Sequence, residues 1–406
     1  MKRDFVERPL YVNRIRPYLG ERVIKVLSGQ RRVGKSYLLY GLIDEIERVR
    51  PEAQIIYVNK DLYEFDRIRT STDLLEHIEA NRNPAASPVV VLDEVQDIDD
   101  FEYALRDLEA RGSTEVICTG SNSSLLSGEL STKLSGRYVE IKVYGLGYEE
   151  FLRFHGMERS RNALSAYLRF GGMPYLRNLE LQEEVVFGYL RNVVDAILLK
   201  DVVRRYGIRR IDFLKRLSLF LADNIGSIVS ARSISKYLKS QNIDVGHTVV
   251  LNYLSHICNA FLVYAVPRES VRGRKIFEVG EKYYYGDLGI RNCLVGFRMT
   301  DVNKLLENAV FMHLQMAGYE VHVGRLDDLE IDFVCHRRGE RMYVQVAYLI
   351  PDGKVRDREF GNLLRIRDNY DKYVVSMDEA AGGSYKGIRH VHAEEFLYAL
   401  SSGNGP

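Results

Sequence analysis

Gly29-Gln30-Arg31-Arg32-Val33-Gly34-Lys35-Ser36 decides the reading of the first third of this chain. The stretch fits the pattern G-x-x-x-x-G-K-[ST], in which a glycine loop turns its backbone N–H groups onto phosphate oxygens. Its flanks supply the context that the pattern needs. Residues 22–27 (RVIKVL) read as a short buried strand and residues 37–49 (YLLYGLIDEIERV) as an amphipathic helix. A strand, a glycine loop and a helix in that order bring the positive end of a helix dipole to bound phosphates. Gly29, Gln30, Arg31, Arg32, Val33, Gly34, Lys35, Ser36 and Tyr37 are therefore the candidate nucleotide contacts, with ATP and Mg²⁺ the expected cofactors. Lys35 is expected to reach the β/γ-phosphates and the Ser36 hydroxyl to ligate Mg²⁺.

Residues 88–94 (PVVVLDE) extend that reading. Four apolar residues ending in two carboxylates describe a central strand of a parallel sheet, buried on both faces. Its acidic end belongs at the carboxyl edge of the sheet, where α/β folds bind ligands. Asp93 suits an outer hold on Mg²⁺, and Glu94 suits polarising the attacking water. A further short strand, residues 114–119 (TEVICT), leads into Gly120-Ser121-Asn122-Ser123-Ser124. Ser121 or Asn122 is expected to sense the γ-phosphate and orient water, and Asn122 is carried forward as the candidate. Arg137, in Leu134-Ser135-Gly136-Arg137-Tyr138, has the chemistry of an arginine finger, acting within its own subunit or on a neighbour's site.

Residues of about 20–155, through GQRRVGKS, VVVLDE, TGSNSS and LSGRYVEIKVYGLGYEEF, resemble an AAA-type P-loop ATPase domain. The last phrase is similar to a large prokaryotic family that joins such a domain to a C-terminal region of unassigned function. FGGMP at 170–174, LLKD at 198–201 and KYYYGDLG at 282–289 also resemble that family. These C-terminal stretches mark the family without implying an activity.

A chain of 406 residues is expected to hold two or three cores. A net charge of +1 argues against a generally polyanion-binding protein but leaves room for a local basic patch. Cys118, Cys258, Cys293 and Cys335 form no C-x-x-C pair and sit among apolar residues, so buried free thiols in a reducing, cytoplasmic setting are expected. The histidines show no metal-ligand spacing, and His390 and His392 read as structural. No apolar run is long enough to span a bilayer, and no membrane partner is expected.

Residues 183–205 keep helical spacing and lead into a basic cluster of Arg204, Arg205, Arg209, Arg210, Lys215 and Arg216. It suits phosphate contacts, a solvated face or a socket for a neighbouring subunit. Residues 213–290 have the order of a winged helix: helices at 213–224, from an N-cap at Ser230, and at 247–258, then strands at 261–267 and 275–279. The tip between those strands carries Arg268, Arg272, Arg274 and Lys275, which suit a DNA backbone. The third helix offers only His247, Thr248 and Asn252 for reading bases, and a protein-contact role competes closely with DNA. Tyr283, Tyr284 and Tyr285 read as core.

From about Asn303 the order of helix, three strands, helix and strand resembles the restriction-endonuclease-like fold. That resemblance implies Glu307 and Asp332 as metal-binding acids. Gln345 and Ala347 stand where the fold's second acid and lysine belong, so an inactive nuclease is expected. The fold class expected is α/β: a P-loop parallel-sheet domain (1–155), a helical linker (156–212), a winged helix (213–300) and a restriction-endonuclease-like domain (301–406). The expected function is a Mg²⁺-dependent ATPase that acts as a DNA-associated motor or switch, with homo-oligomers possible. The alternatives are an ATPase switch on a protein partner and an ATP-gated nuclease.

Overall fold

The computed structural model describes residues 5–123, 134, 136–271, 276–350, 353–379 and 381–403. It forms two compact units. One runs to Tyr144 and takes in Asn259–Phe261; the other comprises the remainder from Gly145 onward.

The first unit is built on five parallel strands: β1 (Ile24–Ser28), β2 (Gln54–Asn59), β3 (Pro88–Asp93), β4 (Glu115–Gly120) and β5 (Tyr138–Lys142). Their order in space is β2-β3-β4-β1-β5. β1, β3 and β4 are buried along their whole length, as continuous apolar runs between two helical layers must be. Ile24, Val26, Val58, Val90, Leu92 and Val116 pack with Leu74, Leu105 and Leu108 from the covering helices. The helix Ser71–Asn81 opens on a capping box, Thr70 accepting from Asp73 N and Asp73 reaching back to Thr70 N. Inserting β4 between β3 and β1 sets Leu92 beside Cys118 and Ser28 beside Gly120. The carboxyl ends of three strands that are remote in sequence thus share one edge.

Charge is buried at the opposite edge. Lys25, fully buried in β1, pairs with Glu115 at the start of β4 across 2.9 Å, and Glu115 also takes Arg50 at 2.7 Å. Burial lowers the Lys25 pKa against the pull of Glu115. The pair ties together the amino ends of two neighbouring strands.

In the second unit, nine strands form one sheet: β6 (Ile228–Val229), β7 (Val263–Ser270), β8 (Ile276–Tyr285), β9 (Glu320–Leu326), β10 (Leu329–Arg337), β11 (Glu340–Ala347), β12 (Asp371–Ser376), β13 (Gly383–Tyr385) and β14 (Ile388–His392). β7 and β8 make an antiparallel hairpin, and β6 adds antiparallel to β8. β7 also runs parallel to β9, so the sheet continues across the boundary expected at 300/301. The strand expected at 275–279 continues to Tyr285, because its last residues bury aromatic surface. Tyr284 stacks on Phe311 at 4.7 Å, and Tyr285 donates to Ser218 O at 2.6 Å. The helix expected over 183–205 is α-helical from Glu183 to Ala196 and π-helical from Ile197 to Arg204. Ser230 caps the helix Ala231–Ser240 by accepting from Ser233 N. Cys118, Cys293 and Cys335 are buried, whereas Cys258 is only partly so.

The stretches FGGMP and YYYGDLG meet inside this unit. Asp287 accepts from Gly172 N at 2.6 Å and, as N-cap of the helix Leu288–Val295, from Ile290 N at 2.9 Å. Gly289 lies so close to the chain that a Cβ there would stand 1.9 Å from Phe170 O. These motifs make a structural junction, through the Asp287 carboxylate and the close backbone approach at Gly289.

Candidate nucleotide site

The phosphate loop joins β1 to the helix Lys35–Val49, whose N-cap is Gly34 in the left-handed region. Gly29 is pressed against β5's exit: a Cβ there would stand 2.1 Å from Val143 O, so no side chain fits. Arg8, buried before the first helix (Pro9–Ile15), donates to Val33 O at 2.9 Å and Tyr144 O at 3.0 Å, bracing the loop from behind. The side chains of Gln30, Arg31 and Val33 are buried, while Arg32 and Tyr37 are exposed.

Lys35 is buried within this loop. Its Nζ donates to Gly29 O at 2.9 Å and Gln30 O at 3.0 Å and lies 3.9 Å from Glu94 Oε1. At the end of β3, Asp93 accepts from Thr119 Oγ1 at 2.6 Å, from Tyr57 OH at 3.3 Å and from Ser36. Burial raises its pKa, against these hydrogen bonds. Glu94 has a left-handed backbone (φ 57°), and its N–H donates to Thr119 Oγ1 at 2.9 Å. Burial raises the Glu94 pKa, but Lys35, Arg31 and hydrogen bonds from Gln96 and Ser121 outweigh it, so the carboxylate stays ionised. Gln96 Nε2 bonds Glu94 Oε2 and lies 3.3 Å from Ser121 Oγ. Ser121 and Asn122 are both fully buried at the end of β4.

The residues fit a nucleotide and its metal on two observations. Gln30 Nε2 is buried without a hydrogen-bond partner among the described residues, and the Ser36 hydroxyl and Asp93 carboxylate already stand in contact. Lys35, Ser36, Asp93, Glu94 and Ser121 thus converge on one strand edge, with Asn122 beside them. Thr119, Gln96 and Tyr57 complete the site although their sequence context did not single them out. The only signal for Thr119 is a polar residue at the end of an apolar strand.

Arg137 lies elsewhere. It precedes Tyr138, which pairs with Ile24 at the amino end of β1, and its guanidinium pairs with Glu109 at 3.2 Å. The phosphate loop begins at Gly29, five residues beyond Ile24 and about 17 Å further along the strand direction. Arg137 is therefore not part of its own chain's phosphate site.

In the second unit the expected acids Glu307 and Asp332 come together around a lysine from β8. Lys282 Nζ lies 2.8 Å from Glu307, 2.8 Å from Glu330 and 3.6 Å from Asp332. Tyr284 OH donates to Glu307 at 2.5 Å. Burial opposes the charge on Lys282, but its three carboxylates hold its pKa above the ordinary value. Burial and the nearby Glu307 charge push Asp332 upward. Gln345 donates to Glu359 at 3.1 Å, and Ala347 ends β11. Arg268 is partly buried on β7, while Arg272, Arg274 and Lys275 lie outside the described residues, as does Ser124. The helix His247–Asn259 exposes His247, Thr248 and Asn252 together with Val249 and Leu251. No helix among the described residues is long and apolar enough to cross a membrane.

Residues 21–152 match the family model of an AAA domain, and residues 161–301 match a domain of unknown function, DUF8612. An uncharacterized protein of Haemophilus influenzae is 33% identical over 408 residues, covering 98% of this chain and 99% of that protein. An uncharacterized protein of Methanocaldococcus jannaschii is 27% identical over 342 residues, covering 80% and 74%. Among solved structures, Cdc6p from Pyrobaculum aerophilum aligns over 65% of this chain and 89% of its own at 15% identity and a TM-score of 0.32. AMPPCP-bound DnaA from Aquifex aeolicus aligns over 63% and 89% at 14% identity, also with a TM-score of 0.32. The AAA match supports ATP binding and hydrolysis at the phosphate loop. With a parallel-sheet AAA domain at its amino end and a relative matched almost end to end, this chain belongs to the family of AAA-domain P-loop proteins that includes the Haemophilus influenzae protein.

Proposed function

We propose that this protein is a Mg²⁺-dependent ATPase whose turnover drives a nucleic-acid-associated switch in its second unit. The observation that carries the catalytic part is the Thr119 bridge. One buried hydroxyl fixes Asp93 and the backbone of Glu94 together, within reach of Lys35 and Ser36. In this reading the loop N–H groups and Lys35 hold the phosphates, and Ser36 and Asp93 hold Mg²⁺, which supplies charge neutralisation of the phosphates. Glu94, kept ionised by Lys35 and Arg31, accepts the proton of the attacking water. Asn122 at the end of β4 orients that water. Arg137, remote from its own loop, serves a neighbouring subunit's site in a homo-oligomer.

The DNA-associated role rests on the order of elements from Ile211 to Tyr285. Three helices, a short strand after the first of them, and a hairpin to which that strand pairs support the reading of a winged helix. Arg232, Lys236 and Lys239 are exposed on its second helix. Exposed Val249 and Leu251 on the third helix favour a second reading, a protein partner in place of DNA. Nuclease chemistry is absent from the proposal, because Lys282 fills the space among Glu307, Glu330 and Asp332 and no lysine stands at Ala347.

The test is ATP turnover by the full chain with and without double-stranded DNA, using Lys35→Ala, Glu94→Gln and Arg137→Ala. Turnover stimulated by DNA and lost in the first two variants is expected. Mixing inactive Glu94→Gln with inactive Arg137→Ala should restore part of the activity, because some interfaces then combine an intact site with an intact arginine. Turnover lost in the variants but indifferent to DNA would shift the second unit's role to the protein partner. Turnover unaffected by Glu94→Gln would overturn the catalytic assignment.

A further inference from the structure

On the sheet of the second unit, away from the carboxylates around Lys282, three strands bring together a carboxylate and two imidazoles. Glu269 comes from β7, His322 from β9 and His336 from β10, and their ligand atoms all lie within 4.8 Å of one another. His336 Nε2 is 2.7 Å from Glu269 Oε2, and His322 Nδ1 is 3.5 Å from the same oxygen. Tetrahedral zinc with bonds of about 2.0–2.1 Å places its ligand atoms about 3.3 Å apart, so the set needs only small side-chain adjustments.

A second observation points to a ligand. His322 is 95% buried by its 5% relative exposure, yet its Nδ1 has no hydrogen-bond partner among the described residues while it faces Glu269 and His336. An orphaned buried nitrogen costs roughly 1–3 kcal/mol unless something binds it.

The surroundings complete the pattern of a metal centre. His322 Nε2 lies 3.7 Å from Glu320 Oε1, the carboxylate that would accept its N–H once Nδ1 is ligated. Arg341 NH2 holds the other Glu269 oxygen, Oε1, at 2.5 Å, and Arg341 NH1 donates to Tyr343 OH at 3.1 Å. The carboxylate is thereby oriented with Oε2 toward the two rings. The Arg341 guanidinium opposes a cation, and the carboxylates of Glu269 and Glu320 offset part of the combined positive charge.

We propose that Glu269, His322 and His336 form a binding site for a late first-row divalent cation, zinc foremost, that pins β7 to β9 and β10. Two imidazoles and one carboxylate suit zinc rather than Mg²⁺, which prefers an all-oxygen shell. Three protein ligands leave a fourth position for water. The site joins the hairpin β7–β8 to the strands beyond it.

The experiment uses the full chain, stripped with a chelator and titrated with Zn²⁺ alone against a chromophoric competitor. Wild type should bind one Zn²⁺ per chain at this site, and Co²⁺ should give the visible ligand-field absorption of a tetrahedral site. His336→Ala, at a partly exposed position that tolerates truncation, should remove that equivalent. Glu320→Gln, at an exposed position, should weaken binding about tenfold through the lost acceptor. Zn²⁺ should raise the melting temperature of wild type and not of His336→Ala, a readout that separates metal loss from misfolding. No stoichiometric binding by wild type, or an equivalent of unchanged affinity in folded His336→Ala, overturns the proposal.

Discussion

Replacing Thr119 by Val should cost both stability and turnover, because one hydroxyl serves two buried partners. The residue is fully buried, and valine keeps its volume, so no cavity term enters. Two hydrogen bonds disappear: the 2.6 Å donation to Asp93 and the 2.9 Å acceptance from Glu94 N. An unpaired buried N–H costs about 1–3 kcal/mol, and a lost bond to a charged acceptor about 1.5–3 kcal/mol. Asp93, whose pKa burial already raises, limits its share by taking up a proton. A loss of about 2–4 kcal/mol in urea unfolding without nucleotide is expected. The catalytic consequence follows from the backbone. Glu94 sits at φ 57°, a conformation that strains a non-glycine residue by about 1–3 kcal/mol. Without the N–H bond to Thr119 that strain relaxes, the carboxylate swings from its place near Lys35, and turnover falls about 10- to 100-fold, or about 1.4–2.8 kcal/mol in the barrier. Thr119→Ser keeps the hydroxyl and should retain most of both quantities. The reasoning is refuted if Thr119→Val stays within about 0.5 kcal/mol of wild type with unchanged turnover, or if Thr119→Ser fails as badly as Thr119→Val.

Two predictions concern the second unit. Lys282→Met removes the ammonium that sits among Glu307, Glu330 and Asp332, and should cost about 3–5 kcal/mol at pH 7. The deficit relative to wild type should shrink in acid as the stranded carboxylates take up protons, and a deficit that does not depend on pH would show that packing rather than charge is at stake. His313 is buried, accepts from Tyr148 N at 2.9 Å and has its pKa pushed down to about 4 by burial. The unfolded chain then binds the extra proton first, so stability is full above about pH 6.5 and falls, by about 3 kcal/mol, as pH drops toward 4. His313→Gln should flatten that slope in urea unfolding measured from pH 7 to 4.5, and an unchanged slope would remove His313 as its source.

The primary structure alone was enough for the phosphate loop and its partner strand. In both, function and local structure depend on neighbours in the chain: a glycine loop needs its flanking strand and helix, and a buried strand ending in Asp93-Glu94 declares itself by its apolar run. Tertiary structure decided what depends on packing between distant segments. Thr119 matters because β4 inserts beside β3, and Arg137 is remote from its own loop because β5 runs parallel to β1. Lys282 enters the carboxylate cluster because β8 continues past its expected end to Tyr285. Glu269, His322 and His336 are separated by 53 and 14 positions, a spacing that no motif records, and meet because β7, β9 and β10 are adjacent strands. A local pattern can specify a loop or a strand, but strand order is set by how whole apolar faces are covered, and only that order places side chains from three strands around one point.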